Sequence, residues 1–193
     1  MTTNIEKLIG QRGKHAVGYF SSIVEPRQVD GGAKCSVDID NTELVELYFD
    51  ADDQEVPYIK PMAAGTTEKP NLAKGYIVMS SEVLHMAEYE TKLSFYNGKG
   101  TMANVFVQEP GVTFNTTNFK IGTTDAAKTP AKGWYAKWVT GVDTTHVCPT
   151  ANGHFELSVA NPGGPNVFMV WGTTEDETEE LLGLDTIELY CMQ

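Results

Sequence analysis

From His15 onward the chain cannot run far in one conformation, because short apolar stretches alternate with turn chemistry. HAVGYFSSIV, AKCSVDID, ELVELYFDA, YIVMSSEV, YETKLSFY, TMANVFVQ, GWYAKWVTG, HFELSVA, NVFMVWGT and TIELYCMQ are each rich in β-branched or aromatic residues. Several of them alternate apolar and polar with period two, as half-buried strands do. Between them lie EPRQVDGG, TTEKPN, EPG, TTDAAKTPAKG and NPGGPN, whose Pro and Gly end strands by fixing φ or by permitting positive φ. The pattern predicts a mainly β fold of about ten short strands. A sandwich, a small barrel and two β-rich lobes all accommodate that number.

Local patterns refine this reading. In Cys35-Ser36-Val37-Asp38-Ile39-Asp40 the apolar residues are expected on one face, and Trp134 and Trp138 share a face of their own strand. Asn97-Gly98 predicts a hairpin turn between YETKLSFY and TMANVFVQ, since both residues tolerate the positive φ of tight turns. One short C-terminal helix is expected from Thr174 to Gly183, where Thr174 caps, Glu177 completes a capping box and Gly183 stops the helix. Residues 1–14 read as an N-terminal arm, with Thr3 and Glu6 at capping-box spacing and Gly10-Gln-Arg-Gly-Lys-His15 as a flexible connection. Residues 15–193 then form the β body. A subdivision is allowed near 57–71, where turn formers are dense.

The 193 residues are enough for a core without disulfides, and 41% hydrophobic with 21% charged residues is an ordinary globular balance. Cys35, Cys148 and Cys191 are odd in number and widely spaced, which predicts buried free thiols rather than a disulfide framework or a zinc knuckle. The net charge is −12. From Val142 onward there is no Lys or Arg against nine Asp or Glu, a poor match to a phosphate backbone, whose binding rests on cationic side chains. Neither nucleic acid nor an anionic membrane is expected as partner. The N-terminal residues lack the apolar stretch of a secretory signal, and no run reaches the roughly 18 apolar residues of a membrane helix. A soluble protein made in a cytoplasm is the expectation.

Chemistry-bearing residues are sparse. His146, Cys148 and His154 fall within nine residues, but their spacing matches no common zinc module. Asp50, Asp52, Asp53, Asp38 and Asp40 lack the Gly and the closing Glu of a calcium loop and are expected to be solvated. The sequence has no GxSxG, HExxH or P-loop signature. No catalytic residue, metal or cofactor is therefore assigned, and the expectation is a protein that is not an enzyme. Trp134, Trp138 and Trp171 fit either a β core or a sugar-stacking surface.

The run YETKLSFYNGKGTMANVFVQEPGVTFNTTNFK resembles small head proteins of tailed phages, the capsid decoration or cement proteins. The resemblance lies in a Phe-Tyr-Asn hairpin, a strand at Ala103–Val107, a Gly turn and a Phe-bearing strand ending near Phe119; Asn104 stands where that pattern has Arg. It implies an oligomeric virion protein on the capsid exterior, bound to the major capsid protein across neighbouring subunits, with no catalytic residues to carry over. In that setting Ile5, Leu8, Ile9 and Arg12 are the candidate partner contacts, ordered when the arm docks. The alternative is a carbohydrate-binding or tail-associated adhesion module using exposed aromatics.

Overall fold

The computed structural model describes residues 15–16, 18–22, 24–62, 75–80, 96–143, 148, 150–174 and 186–192. They form β1 (Gly18–Phe20), β2 (Ala33–Cys35), β3 (Leu44–Phe49), β4 (Pro57–Pro61), β5 (Tyr76–Val78), β6 (Met102–Ala103), β7 (Val105–Val107), β8 (Thr113–Thr116), β9 (Phe119–Ile121), β10 (Tyr135–Thr140), β11 (Gly153–Ser158), β12 (Val167–Thr174) and β13 (Thr186–Cys191). Helix among the described residues is limited to one 3-10 turn, Thr123–Asp125. The mainly β reading holds, with the strands divided between two sheets.

The smaller sheet runs β6-β2-β4-β3-β5-β7, and its ends meet. Residues 27–29, just ahead of β2, run back along β7: Val107 N donates to Arg27 O (2.8 Å), Val29 N to Val105 O (2.7 Å), and Gln28 bridges Phe106. The stretch 27–35 therefore pairs along its length with 101–107, and β4, β3 and β5 complete a closed ring. Its interior holds Ala33, Cys35, Val45, Ile59, Val78, Ala103 and Val105, all buried. Small and branched side chains suit the interior of so narrow a barrel. The fit depends on Asp30-Gly31-Gly32, where both glycines sit at φ 72°. A Cβ on Gly32 would lie 2.5 Å from Ala103 O, so only glycine lets the two stretches close there.

The larger sheet runs β1-β8-β13-β12-β10-β11-β9, antiparallel except where β9 joins β11. Its inner face carries Phe114, Trp138, Phe155, Leu157, Phe168, Val170, Ile187 and Leu189. Leu44, Met62, Ile77 and Met79 from the barrel pack into the same cluster, with Phe106 against it. Alternation explains this: Leu44 and Val45, or Ile77 and Val78, point to opposite sides of the barrel wall, one toward the sheet and one inward. The seam is aromatic, with Phe168 edge-on to Phe114 (5.7 Å) and to Phe155 (5.2 Å), and Phe20 edge-on to Phe106 (4.7 Å).

Several expectations change. Asn97 and Gly98 are not at positive φ, which falls instead at Gly100 (81°). Asn97 bridges Ile39, while β6 and β7 pair with β2 and β5. The residues after Gly98 thus join the barrel rather than a two-residue hairpin, because closing the ring satisfies more backbone groups. YETKLSFY lies outside the described residues up to its final Tyr96. The strand at Cys35 stops there and Val37 is exposed, so the apolar alternation does not extend as one face. Within the turn-rich stretch 57–71, Pro57–Pro61 is strand β4; its proline termini sit opposite Phe49 and Val45. Residues 63–74 lie outside the described residues. So does the predicted helix, apart from Thr174, which ends β12.

Candidate functional site

The connection from β2 to β3 reads Ser36-Val37-Asp38-Ile39-Asp40-Asn41-Thr42-Glu43, and its last five residues are all buried although four are polar. Such burial is costly unless every group finds a partner. Asn41 answers by pairing with Ser80 in both directions, Nδ2 donating to Ser80 O and Ser80 N donating to Oδ1, each at 3.0 Å. Asn97 Nδ2 donates to Ile39 O (3.1 Å) and to Asn41 Oδ1 (3.3 Å). Thr42 holds φ 66°, a strained position for a β-branched residue. It is kept there by its hydroxyl contact with Thr116 Oγ1 (2.7 Å) and by its N–H donating to Val78 O (2.7 Å). Its methyl fills the space beside Gly18, where a Cβ would come within 2.1 Å.

Two carboxyls lie at the centre. Asp40, 3% exposed, faces the segment that leads into β1: Oδ1 is 2.7 Å from His15 Nδ1, and Oδ2 accepts from Ala16 N at 3.1 Å. Thr150 Oγ1 approaches both, at 3.2 Å from His15 Nδ1 and 3.4 Å from Asp40 Oδ2. The His15 ring stacks on Tyr96 at 4.9 Å. Glu43 is fully buried; its Oε1 accepts from Asp40 N (3.0 Å), Asn152 N (3.0 Å) and Asn152 Nδ2 (3.4 Å), while Oε2 has no partner. Burial, and then the neighbouring Asp40 charge, push the Glu43 carboxyl up to about 8, against the pull of the hydrogen bonds from Asn152 and Asp40. Asn118 Oδ1 and Trp138 Nε1 are also buried without a partner. Both flank Gly153, whose carbonyl accepts from Asn118 Nδ2 and whose Cβ position would fall against the Trp138 ring. Polar potential thus collects along 152–153.

This junction is built to hold a segment. Thr150 and Asp40 both meet the same ring nitrogen of His15, whereas a nucleophilic relay needs hydroxyl and carboxylate on opposite nitrogens. Ala16 supplies the apolar part of the grip, buried with Cys148 and Ala151.

Ile5, Leu8, Ile9 and Arg12, the partner contacts proposed from sequence, lie outside the described residues, as does His146. None of the three thiols is in a disulfide and all are buried; burial raises Cys35 to about 11 and Cys148 to about 12. No group of three potential metal ligands occurs among the described residues. Asp40 departs from the expectation of a solvated carboxylate, because the segment before β1 covers it. Trp134 and Trp138 belong to the core, while Trp171 is 41% exposed with its ring already against Tyr190 (5.3 Å) and Lys132 (4.2 Å). Sequence reasoning missed His15, Asn41, Glu43, Thr150 and Asn152, which no motif spacing connects. The one available signal was a six-residue stretch, Asp38–Glu43, holding a single apolar residue between two strands.

A small closed barrel packed on a seven-stranded sheet, tied at one end by a buried polar junction, defines a mainly β body. The chain belongs to the YonC prophage protein family, whose model matches residues 11–164. It is 31% identical over 124 residues to the SPbeta prophage-derived uncharacterized protein YonC of Bacillus subtilis (strain 168), a match covering 64% of this chain and 64% of that relative, so the chain spans less than two thirds of the relative's length. No solved structure matches it. Phage association is shown by this membership.

Proposed function

We propose that the protein is a virion structural protein that decorates the capsid exterior and stabilises the shell by binding across neighbouring capsid subunits. The observation that carries the reading is membership in a prophage family by a body whose regular structure, among the described residues, is almost all strand. A closed barrel seated on a broad sheet is a rigid platform, and rigid partners lose little conformational freedom on docking. The net charge of −12 limits self-association until a specific interface captures the molecule. The partner in this reading is the major capsid protein, the state on the particle is oligomeric, and neither nucleic acid, membrane nor cofactor takes part. A ligand that binds only the assembled lattice raises the free energy of disassembly by its own binding term.

The test is the copy number of this chain relative to the major capsid protein, by quantitative mass spectrometry of purified particles. A near-stoichiometric ratio supports decoration, a few copies per particle redirect the protein to a tail or neck position, and absence overturns any virion role. Deleting residues 1–14 is expected to weaken capsid attachment through the loss of Ile5, Leu8, Ile9 and Arg12 while leaving the fold intact. Of the three tryptophans only Trp171 is exposed enough to serve the adhesion alternative, and tryptophan fluorescence that does not respond to glycans would remove it from that role.

A further inference from the structure

The seat of His15 and Ala16 has two walls, and a single carboxyl holds both. One wall is Asp40, whose two oxygens take His15 Nδ1 and Ala16 N. The other is the stretch around Thr150 and Ala151, which contributes a hydroxyl to His15 and an apolar contact to Ala16. Glu43 Oε1 accepts from the backbone of Asp40 and from the backbone and side chain of Asn152, next to that second wall. Its other oxygen faces no partner. We infer that Glu43 is a proton-operated latch: protonated, it keeps both walls closed on the segment leading into β1, and on ionising it parts them and frees His15 and Ala16 from the junction.

The physical reason is local. A neutral carboxyl tolerates full burial with one unpartnered oxygen, whereas a carboxylate there would sit desolvated beside the carboxylate of Asp40. The titratable groups facing Glu43 come from each neighbouring element: Asp38 and Asp40 from its own connection, His15 from the segment before β1, Cys35 from β2 and Cys148 from the stretch before β11. The two thiols are held neutral by burial, and Thr116, Thr117 and Asn118 from the large sheet bring no charge. Water drawn to an ionised Glu43 would have to enter between Asp40 and Asn152, the two groups that close the seat. The device is a property of the fold and does not depend on where the protein sits on a particle.

Hydrogen exchange of the full-length chain, read by mass spectrometry over residues 15–20 and corrected for intrinsic rates, tests the latch. Because the closed state binds a proton that the open state releases, the open population is expected to rise by up to about tenfold per pH unit from pH 4.5 to about 8, and to level off above that. In Glu43→Gln, which keeps the acceptor oxygen but cannot ionise, the profile is expected to be flat. A flat profile in the unmodified chain overturns the latch, and so does an unchanged slope in the variant, which would assign the dependence to His15 and Asp40. Should the variant fail to fold, infrared spectroscopy of the unmodified chain decides: a protonated carboxyl band lost on raising pH through about 8 supports the latch, and its absence at pH 6 overturns it.

Discussion

Two of the joints between the barrel and the large sheet, an apolar seam and a polar junction, work on opposite principles. Along the middle, Phe106, Phe114, Phe155, Phe168, Leu44 and Ile77 form an aromatic and aliphatic seam. At one end, Asp40, Asn41, Thr42 and Glu43 meet Thr116, Asn152 and the segment before β1 through directional hydrogen bonds. The seam supplies most of the burial, and it asks only for shape and volume. The junction supplies little apolar area but fixes which groups face one another, since each misplaced polar atom there would be stranded away from water.

The largest expected effect lies in the seam. Phe168→Ala, which removes a ring that touches both Phe114 and Phe155, should cost about 3–5 kcal/mol in urea unfolding. A cost under 1 kcal/mol would mean that the layers are not held there. Asn41→Ala should cost about 2–3 kcal/mol, because Ser80 N–H and C=O lose the Asn41 side chain and the Asn97 amide keeps only Ile39 O of its two acceptors. If it proves as harmless as a surface change, the junction is not the second joint. Gly18→Ala forces a methyl against Thr42 Cγ2 and Asn115 O and should cost about 2 kcal/mol, with faster exchange in β1 as its signature.

pH distinguishes the joints as well. Glu43 binds its proton more tightly folded than unfolded, so its contribution is fully present at pH 4.5 and is lost as pH rises to about 8. Over that window stability should fall by up to about 1.4 kcal/mol per pH unit, and thermal melts of Glu43→Gln should lack that slope. Replacing Phe168 should leave the slope unchanged, since the seam around it holds no carboxyl and no histidine. Least of all, Arg27→Ala, which breaks an exposed pair with Glu109 (2.7 Å), should not move the melting temperature measurably.

The two joints also differ in how far the sequence reveals them. Alternation in ELVELYFDA and GWYAKWVTG marks Leu44, Val45, Ala136 and Trp138 as apolar wall positions, and most of the predicted runs contain an observed strand. Barrel closure was not legible, because 27–29 reads as turn chemistry and its pairing with 105–107 is a long-range event. Pro57–Pro61 hid in a proline-rich stretch for the same reason: its strand state is imposed by β2 and β3 on either side. The junction was less legible still. Asp40 and Glu43 look like ordinary solvated acids until His15 meets the first and Asn152 the second, each from a distant part of the chain, and polar side chains carry no periodicity to announce that cover.

The place of β13 in the large sheet has a consequence for how the molecule is made. The last described strand lies between β8 and β12, so during synthesis that sheet stays in two pieces, β1-β8 and β12-β10-β11-β9, until residues 186–191 have left the ribosome. The barrel, complete once residue 107 has emerged, is the natural early folding unit. The aromatic faces of both half-sheets remain open to wrong pairings until the end. A chain stopped before Thr186 should therefore accumulate as aggregate around a formed barrel.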